Sequence, residues 1–470
     1  MRPEKIIIGM LVLCLAAGGL SGCRADKGND IAATQALSPT QWAPTETVAA
    51  VTPTAAPSQA LPTEAVLTQP APTESAPTKP ALTAAPTAVP SKPSPAPTAV
   101  PSKTPTPAPE PSGAVDRLLE RMTLRQKVGQ LFIVCPEALT SAGSGAGATS
   151  LTEDMADGLK KYPVGGIVMF GANLVSPEQI TRFNGELQKA SGIPLLIAVD
   201  EEGGRVARLA NHSAFDLPKY KSAAAVGAGG DAAAAFEMGS TIGAYLRRYG
   251  FRLDFAPVAD VNTNPNNPVI GTRAFSSDAR IAARMAGAMA DGLRKQGVAP
   301  TFKHFPGHGD TAEDSHKGVA VSYKTRQELE VCEWLPFAEA GSKDCVMVGH
   351  IALPEVNDDL TPATLSRTVV TDILKGSLGF RGLVVTDSLS MGAITASYTS
   401  AEAALGALDA GCDLLLMPAD LPEAFEAVVA AVEDGTFDEG RLNAIVRRIL
   451  AFKQEYGLLG DGSGSASSAS

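Results

Sequence analysis

Positive charge is in short supply: 39 lysines and arginines face 50 aspartates and glutamates, leaving a formal net charge of −11 over 470 residues. Nucleic-acid binding draws much of its affinity from cations on phosphates, so nucleic acid is not an expected partner. Cysteine is scarce as well. Of the six, Cys14 and Cys23 fall in the leading segment, and Cys135, Cys332, Cys345 and Cys412 show no C-x-x-C spacing. These four read as buried thiols or helix-face residues, not as a zinc set or a disulfide framework. The apolar run from Ile6 to about Leu20 stops short of the roughly 20 residues that a membrane-spanning helix needs. Gly143-Ser144-Gly145-Ala146-Gly147 lacks the Lys-Ser/Thr ending of a phosphate loop, which leaves a flexible loop. There are only five histidines, yet His304, His308 and His316 crowd into one short segment.

What is present starts at the ends. Arg2 and Lys5 precede the apolar run, the pattern of a secretory signal over residues 1–22. The run closes on Leu20-Ser21-Gly22-Cys23, which resembles the bacterial lipoprotein box. That resemblance implies a diacylglyceryl group on Cys23 and an extracytoplasmic protein anchored to the outer face of a membrane, since two or more lipid chains hold where one is marginal. Ordinary cleavage with Cys23 incidental is the alternative, and an exported location also permits a disulfide. From about Asn29 to Pro111 the chain is almost wholly Pro, Thr, Ala, Ser and Val and holds more than half of its 35 prolines. Residues 23–113 are therefore expected to be a disordered, semi-rigid stalk, with a contour of order 200 Å at ~3.1 Å per residue. The Gly/Ser-rich tail, 461–470, is expected to be disordered too.

Residues 114–460 suffice for one large domain or two small ones. Short apolar runs recur there between amphipathic stretches: Leu131–Cys135, Gly166–Phe170, Leu195–Val199, Leu253–Val258, Val298–Lys303, Cys345–His350, Leu383–Thr386 and Asp413–Met417. Runs rich in Val, Ile, Leu or Phe suit parallel strands buried on both faces. Helices are expected over Pro177–Ala190, Ala232–Tyr249, Asp278–Gln296, Arg326–Ala340, Ala401–Ala410, Pro422–Glu433 and Glu439–Tyr456. Eight alternating units predict an α/β protein with a single (β/α)8 TIM-type barrel; a doubly wound open sheet is the alternative. Barrel chemistry gathers at the C-terminal ends of the strands. Asp200, Asp260, Asn262, His304, His350 and Asp387 all fall just there.

Pro306 and Gly307 interrupt Lys303-His304-Phe305-Pro306-Gly307-His308-Gly309-Asp310, so the segment reads as a strand running into a loop. This denies His304 and His308 a helical zinc face, and no metal is expected. A metal-dependent hydrolase on His304, His308, Asp310 and His316 is a rival that loss of activity to a chelator would favour. Asp387, with no acidic neighbour at the end of an apolar strand, suits a nucleophile that stays ionised; a helix-capping aspartate is the plainer reading. Asp314-Ser315-His316 offers an imidazole able to give and take a proton near neutral pH, oriented by Asp314. Asp200 suits paired hydroxyl donors of a sugar, with Arg208 reaching a neighbouring oxygen. Glu201 and Glu202 read as structural, pairing with Arg205 or Arg273. Arg273 is either a second clamp or an ion-pair partner.

Five segments together resemble glycoside hydrolase family 3, in its bacterial β-N-acetylglucosaminidase branch, over roughly Val115 to Leu459. They are Asp-x-Glu-Gly-Gly-Arg-Val from Asp200, Gly-x-Arg-x-Phe from Gly271, Lys-His-Phe-Pro-Gly-His-Gly from Lys303, Asp-Ser-His from Asp314 and Thr-Asp-x-Leu-x-Met from Thr386. The resemblance implies Asp387 as nucleophile, His316 as general acid/base and Asp314 as its partner. It implies Asp200, Arg208, Arg273, Lys303 and His304 as sugar-binding residues, no cofactor, and a monomer acting on a carbohydrate. Glu201 stands where many relatives have glutamine, and Thr272 and Ala274 replace commoner polar residues; these departures touch fine specificity only. The second domain of some exported relatives is not expected.

The expected reaction is retaining removal of terminal β-linked N-acetylglucosamine from peptidoglycan-derived (GlcNAc-MurNAc) or, second, chitin-derived glycans. A phosphorylase or another β-glycosidase of the family is the nearest alternative, because a neutral imidazole repels an anionic acceptor less than a carboxylate does. A non-catalytic wall-binding lipoprotein is the alternative from another class.

Overall fold

The computed structural model describes residues 113–143, 147–312 and 318–460. The signal segment, Cys23, the Pro/Thr-rich stretch, Asp314, His316 and the Gly/Ser tail lie outside the described residues. Each of the eight apolar runs carries a strand: β1 (Phe132–Val134), β2 (Gly166–Met169), β3 (Leu196–Val199), β4 (Leu253–Asp254), β5 (Thr301–Phe305), β6 (Cys345–Val348), β7 (Leu383–Thr386) and β8 (Leu415–Leu416). All eight are parallel to their partners. They form an α/β fold with a half-barrel sheet in the order β8-β1-β2-β3-β4 and a second ladder in the order β7-β6-β5. Isolated parallel bridges, Leu253 to Ala299, Val258 to Lys303 and Val385 to Leu414, link the ladders at both borders. Every residue of the eight strands is buried, as strands covered on both faces must be.

Helices between the strands start where a side chain satisfies a free backbone N–H. Ser176 caps Pro177–Ala190 with proline at the first helical turn, and Asp231 and Asp278 cap Ala232–Arg248 and Ala279–Lys295. Thr399 and Glu402 form a reciprocal capping box for Ser400–Ala410. Leu421–Glu433 and Glu439–Glu455 complete the set. No helix among the described residues is long and apolar enough to cross a membrane.

Two features depart from the sequence expectation. The helix expected over 326–340 is an α-helix at Arg326–Val331 followed by a 3-10 turn at Leu335–Glu339, because Pro336 lacks the N–H that a continuing helix needs. Of the four cysteines, all free, Cys345 and Cys412 are buried, whereas Cys135 and Cys332 are half-buried; both of these stand beyond element ends and not within an apolar face.

One buried cation has few partners. Lys453, fully buried on the last helix, donates to Gln130 Oε1 at 2.6 Å, and burial lowers its pKa to about 7. An amine whose folded pKa is depressed costs stability while it is protonated, and stability rises with pH from the folded value to the unfolded value near 10.4. Lys453→Met is expected to raise the melting temperature at pH 7 and to flatten its rise between about pH 7 and 10. Thermal unfolding across that range checks it.

Candidate active site

The C-terminal ends of the strands open onto a cavity of ≈ 480 Å³. After β3 the chain turns back as a short hairpin, Glu201–Gly203 against Val206–Ala207. Gly203 and Gly204 take the left-handed region, with φ of 79° and 72°, and a Cβ on Gly204 would stand 2.8 Å from Ser222 Cα. Successive strand residues point to opposite sides, which divides the two glutamates. Glu201 turns into the protein, where it accepts from Leu209 N at 2.8 Å, Ala210 N at 2.9 Å and the Tyr245 hydroxyl at 2.8 Å. The expected pairing of Glu201 with an arginine is thus corrected: its job is to pin the chain that carries Arg208. Burial pushes its carboxyl above the usual range.

Glu202 turns to the cavity and joins a buried charge network. Arg273 grips it in a fork, Nε at 2.8 Å and the terminal nitrogen at 2.6 Å, and Lys303 Nζ lies 2.7 Å from both Glu202 Oε1 and Asp200 Oδ1. Arg208 reaches Asp200 Oδ2 at 3.2 Å and lies over the Phe170 ring, 5.5 Å from its centre. Arg273 is both ion-pair partner and cavity wall, so the two readings of it merge. Burial alone would drive Glu202 towards its neutral acid, but Lys303 and Arg273 outweigh that and hold it far below the ordinary carboxylate range. Burial likewise opposes the charge on Lys303, and Asp200 and Glu202 overcome it, leaving its pKa raised. Such a network survives burial because every charge has an opposite within hydrogen-bond reach.

β5 delivers Lys303 and His304 to the same wall; the Lys303–His304 and Phe305–Pro306 peptide bonds are cis. Asp260, past β4, organises the loop that follows. Its buried carboxylate accepts from His304 Nδ1 at 2.7 Å, His304 N at 3.2 Å and His308 N at 2.7 Å. The loop presses so close to the β4 side that a Cβ on Gly309 would lie 1.8 Å from Val261 O. Arg273 stands 3.4 Å from His304 Nε2, and His308 Nδ1 meets the Thr311 hydroxyl at 2.6 Å, so both imidazoles are engaged by side chains.

Asp387 follows β7 and is set by the backbone: its N–H donates to Val348 O at 2.8 Å, and its Oδ1 accepts from Ser388 N at 2.8 Å. His350 braces the turn from behind, donating from Nε2 to Ser388 O at 2.8 Å while Nδ1 meets the Thr364 hydroxyl at 2.8 Å. Asp387 Oδ2 accepts no hydrogen bond among the described residues. Burial would raise its pKa, but the imidazoles of His304 and His350 outweigh that and hold the carboxyl below its ordinary value. Three carboxylates among the described residues therefore face the cavity. Asp200 and Glu202 are occupied by cations; Asp387 keeps an ionised oxygen available.

The cavity collects Asp200, Arg208, Arg273, Lys303, His304 and Asp387, the six expected site residues that the structure describes. Asp314 and His316 lie outside the described residues. Glu202, Asp260 and His308 were not among the expected site residues. Asp260 was legible as a polar residue at a strand end, but nothing local marks which histidine it holds. Apolar walls from Val168, Phe170, Met347, Met391 and Leu416 complete a pocket suited to a compact polar ring with apolar edges.

Residues 123–452 match the glycosyl hydrolase family 3 N terminal domain. Beta-hexosaminidase A of Pseudoalteromonas piscicida is 32% identical over 366 residues, covering 71% of this chain and 61% of that protein. A beta-hexosaminidase of Xylella fastidiosa is 38% identical over 279 residues, covering 58% of this chain and 82% of that protein. Among solved structures, a glycoside hydrolase family 3 beta-N-acetylglucosaminidase from Paenibacillus sp. str. FPU-7 superposes with a TM-score of 0.67 at 39% identity, covering 74% of this chain and 65% of that one. The chain thus spans less than two thirds of the Pseudoalteromonas and Paenibacillus proteins.

Proposed function

The chain belongs to glycosyl hydrolase family 3, and from that premise we propose that it is a retaining exo-β-N-acetylglucosaminidase acting through a covalent glycosyl-enzyme on Asp387. One observation carries the proposal: of the three carboxylates that face the cavity among the described residues, only Asp387 presents an oxygen that no described cation or donor occupies. Asp387 attacks the anomeric carbon as the bond to the leaving oxygen breaks, and His316 gives that oxygen its proton. Neutral His316 then takes a proton from water, which attacks the anomeric carbon and releases Asp387. Asp314 orients His316. Asp200, Arg208, Lys303 and His304 bind sugar hydroxyls, with Arg273 and Glu202 fixing Lys303, and the apolar walls take the acetamide methyl. The bridges at both sheet borders support reading the eight strands as one closed (β/α)8 barrel with this cavity at its mouth.

The substrate is proposed to be a terminal β-linked N-acetylglucosamine of peptidoglycan or chitin fragments, met by a monomer held outside the cell membrane through Cys23 and a proline-rich stalk. His316→Ala tests the acid/base role. It is expected to slow hydrolysis of a poor leaving group, an alkyl N-acetylglucosaminide, by about 10²-fold or more, and an activated aryl one far less. Equal losses on both would contradict the assignment. Running the same assay with orthophosphate present and looking for a sugar 1-phosphate separates hydrolysis from phosphorolysis.

A further inference from the structure

The opposite end of the strands carries a second, cationic pocket. Gly411 closes the helix Ser400–Ala410, and Asp413 precedes β8, so both sit at the N-terminal ends of the parallel strands, away from the catalytic cavity. A recess of ≈ 390 Å³ opens there, lined by Arg367, Lys375, Arg441 and Arg448 around a single carboxylate, Asp413. Asp413 is fully buried. Arg448 donates to its Oδ1, Lys375 reaches its two oxygens at 3.2 and 3.1 Å, and Val384 N donates to Oδ2 at 2.9 Å. Among the described residues the only other acid engaged is Asp409, 75% exposed at the rim and 3.2 Å from Arg441. Even with both aspartates counted, two positive charges remain in the recess of a chain whose net charge is −11. Arg367 is exposed and makes no ion pair among the described residues.

Surplus positive charge held in a recess repels itself, and an anion relieves it. The guanidinium of Arg367, unpaired among the described residues, is free to turn inward beside that of Arg441, which Asp409 and the Leu408 and Asp409 carbonyls hold in place; planar forks of this kind bind the oxygens of a tetrahedral dianion through paired hydrogen bonds. The floor is fixed by close packing: a Cβ on Gly411, φ 115°, would lie 2.4 Å from the Thr371 hydroxyl oxygen. A recess of this volume takes a compact anion better than it takes a flat surface. We propose that this pocket binds a phosphate group, free or as a monoester, with Arg367 as its principal ligand and Arg441, Lys375 and Arg448 completing the positive field.

The test is titration calorimetry of orthophosphate into the full chain at constant ionic strength, beside Arg367→Gln and Arg367→Gln/Arg441→Gln. Circular dichroism verifies folding. Saturable binding is expected, weakened about tenfold or more in Arg367→Gln, the loss of one charge-assisted contact, with turnover of a chromogenic N-acetylglucosaminide unchanged. Should the double variant fail to fold, the single variant decides alone, because Arg367 is exposed and unpaired among the described residues. Sedimentation with phosphatidylglycerol vesicles separates the sources. Capture that needs Arg367 and is displaced by orthophosphate assigns the phosphate to a lipid headgroup; phosphate binding without capture assigns it to a soluble phosphate. No saturable binding of orthophosphate, or unchanged affinity in folded Arg367→Gln, overturns the proposal.

Discussion

Asp387→Asn is expected to reduce kcat on a β-N-acetylglucosaminide by about 10³-fold or more, a barrier rise of at least ~4 kcal/mol. The amide keeps the shape of the carboxylate and can keep the Ser388 N–H bond, 2.8 Å in the wild type, so folding and sugar binding should change little. What is lost is the anionic oxygen that forms the bond to the anomeric carbon. Asp200 and Glu202 cannot substitute, since Lys303, Arg208 and Arg273 occupy them. The pH profile carries the same signature. Asp387 must be ionised to react, and its pKa is held below the ordinary value by His304 and His350 against the opposing effect of burial. The acid limb of kcat/KM in the wild type is therefore expected below the reference aspartate value of about 3.9. Near-normal turnover in Asp387→Asn would refute the nucleophile assignment.

Lys303→Met is expected to cost about 3–5 kcal/mol of stability, the penalty for breaking a buried ion pair by removing one partner, and to lower kcat/KM as well. The ammonium lies 2.7 Å from two carboxylates and its side chain is 3% exposed, so methionine fills the space but leaves Asp200 and Glu202 facing each other with only arginines between. The pH dependence has a definite sign. Glu202 has a depressed folded pKa, so its contribution is fully present above its unfolded value near 4.3 and is lost only as pH falls through the folded one. In Lys303→Met that depression shrinks, and the midpoint of acid unfolding moves up. Lys303, whose own pKa is raised, contributes in full below the unfolded value near 10.4 and loses its share as pH rises through the folded value. An acid midpoint unchanged in the variant would show that Arg273 alone carries Glu202.

The strands were legible because parallel strands buried on both faces leave no polar alternation to confuse the pattern, and Leu383–Thr386 is such a run with the same bounds in sequence and structure. The site was legible through position: Asp200 and Asp387 stand just past strands and His304 near the C-terminal end of β5, where a parallel α/β sheet exposes its chemistry. Pairing was not. Glu202 meets Arg273 across 71 residues and Asp200 meets Lys303 across 103, and no local feature distinguishes Glu202, which enters the site, from Glu201, which leaves it. That difference comes from strand alternation in a hairpin fixed by Gly203 and Gly204. The break after Val331 followed from Pro336, a residue whose effect the apolar periodicity of 326–340 masked.

The proposed mechanism requires that Asp387 form the covalent bond. Mass spectrometry of the protein incubated with a fluorinated N-acetylglucosamine analogue, followed by peptide mapping, tests it directly. One sugar adduct per chain is expected, on the peptide carrying Asp387. An adduct on Asp200 or Glu202, or turnover with no adduct under conditions that trap other retaining glycosidases, would contradict it.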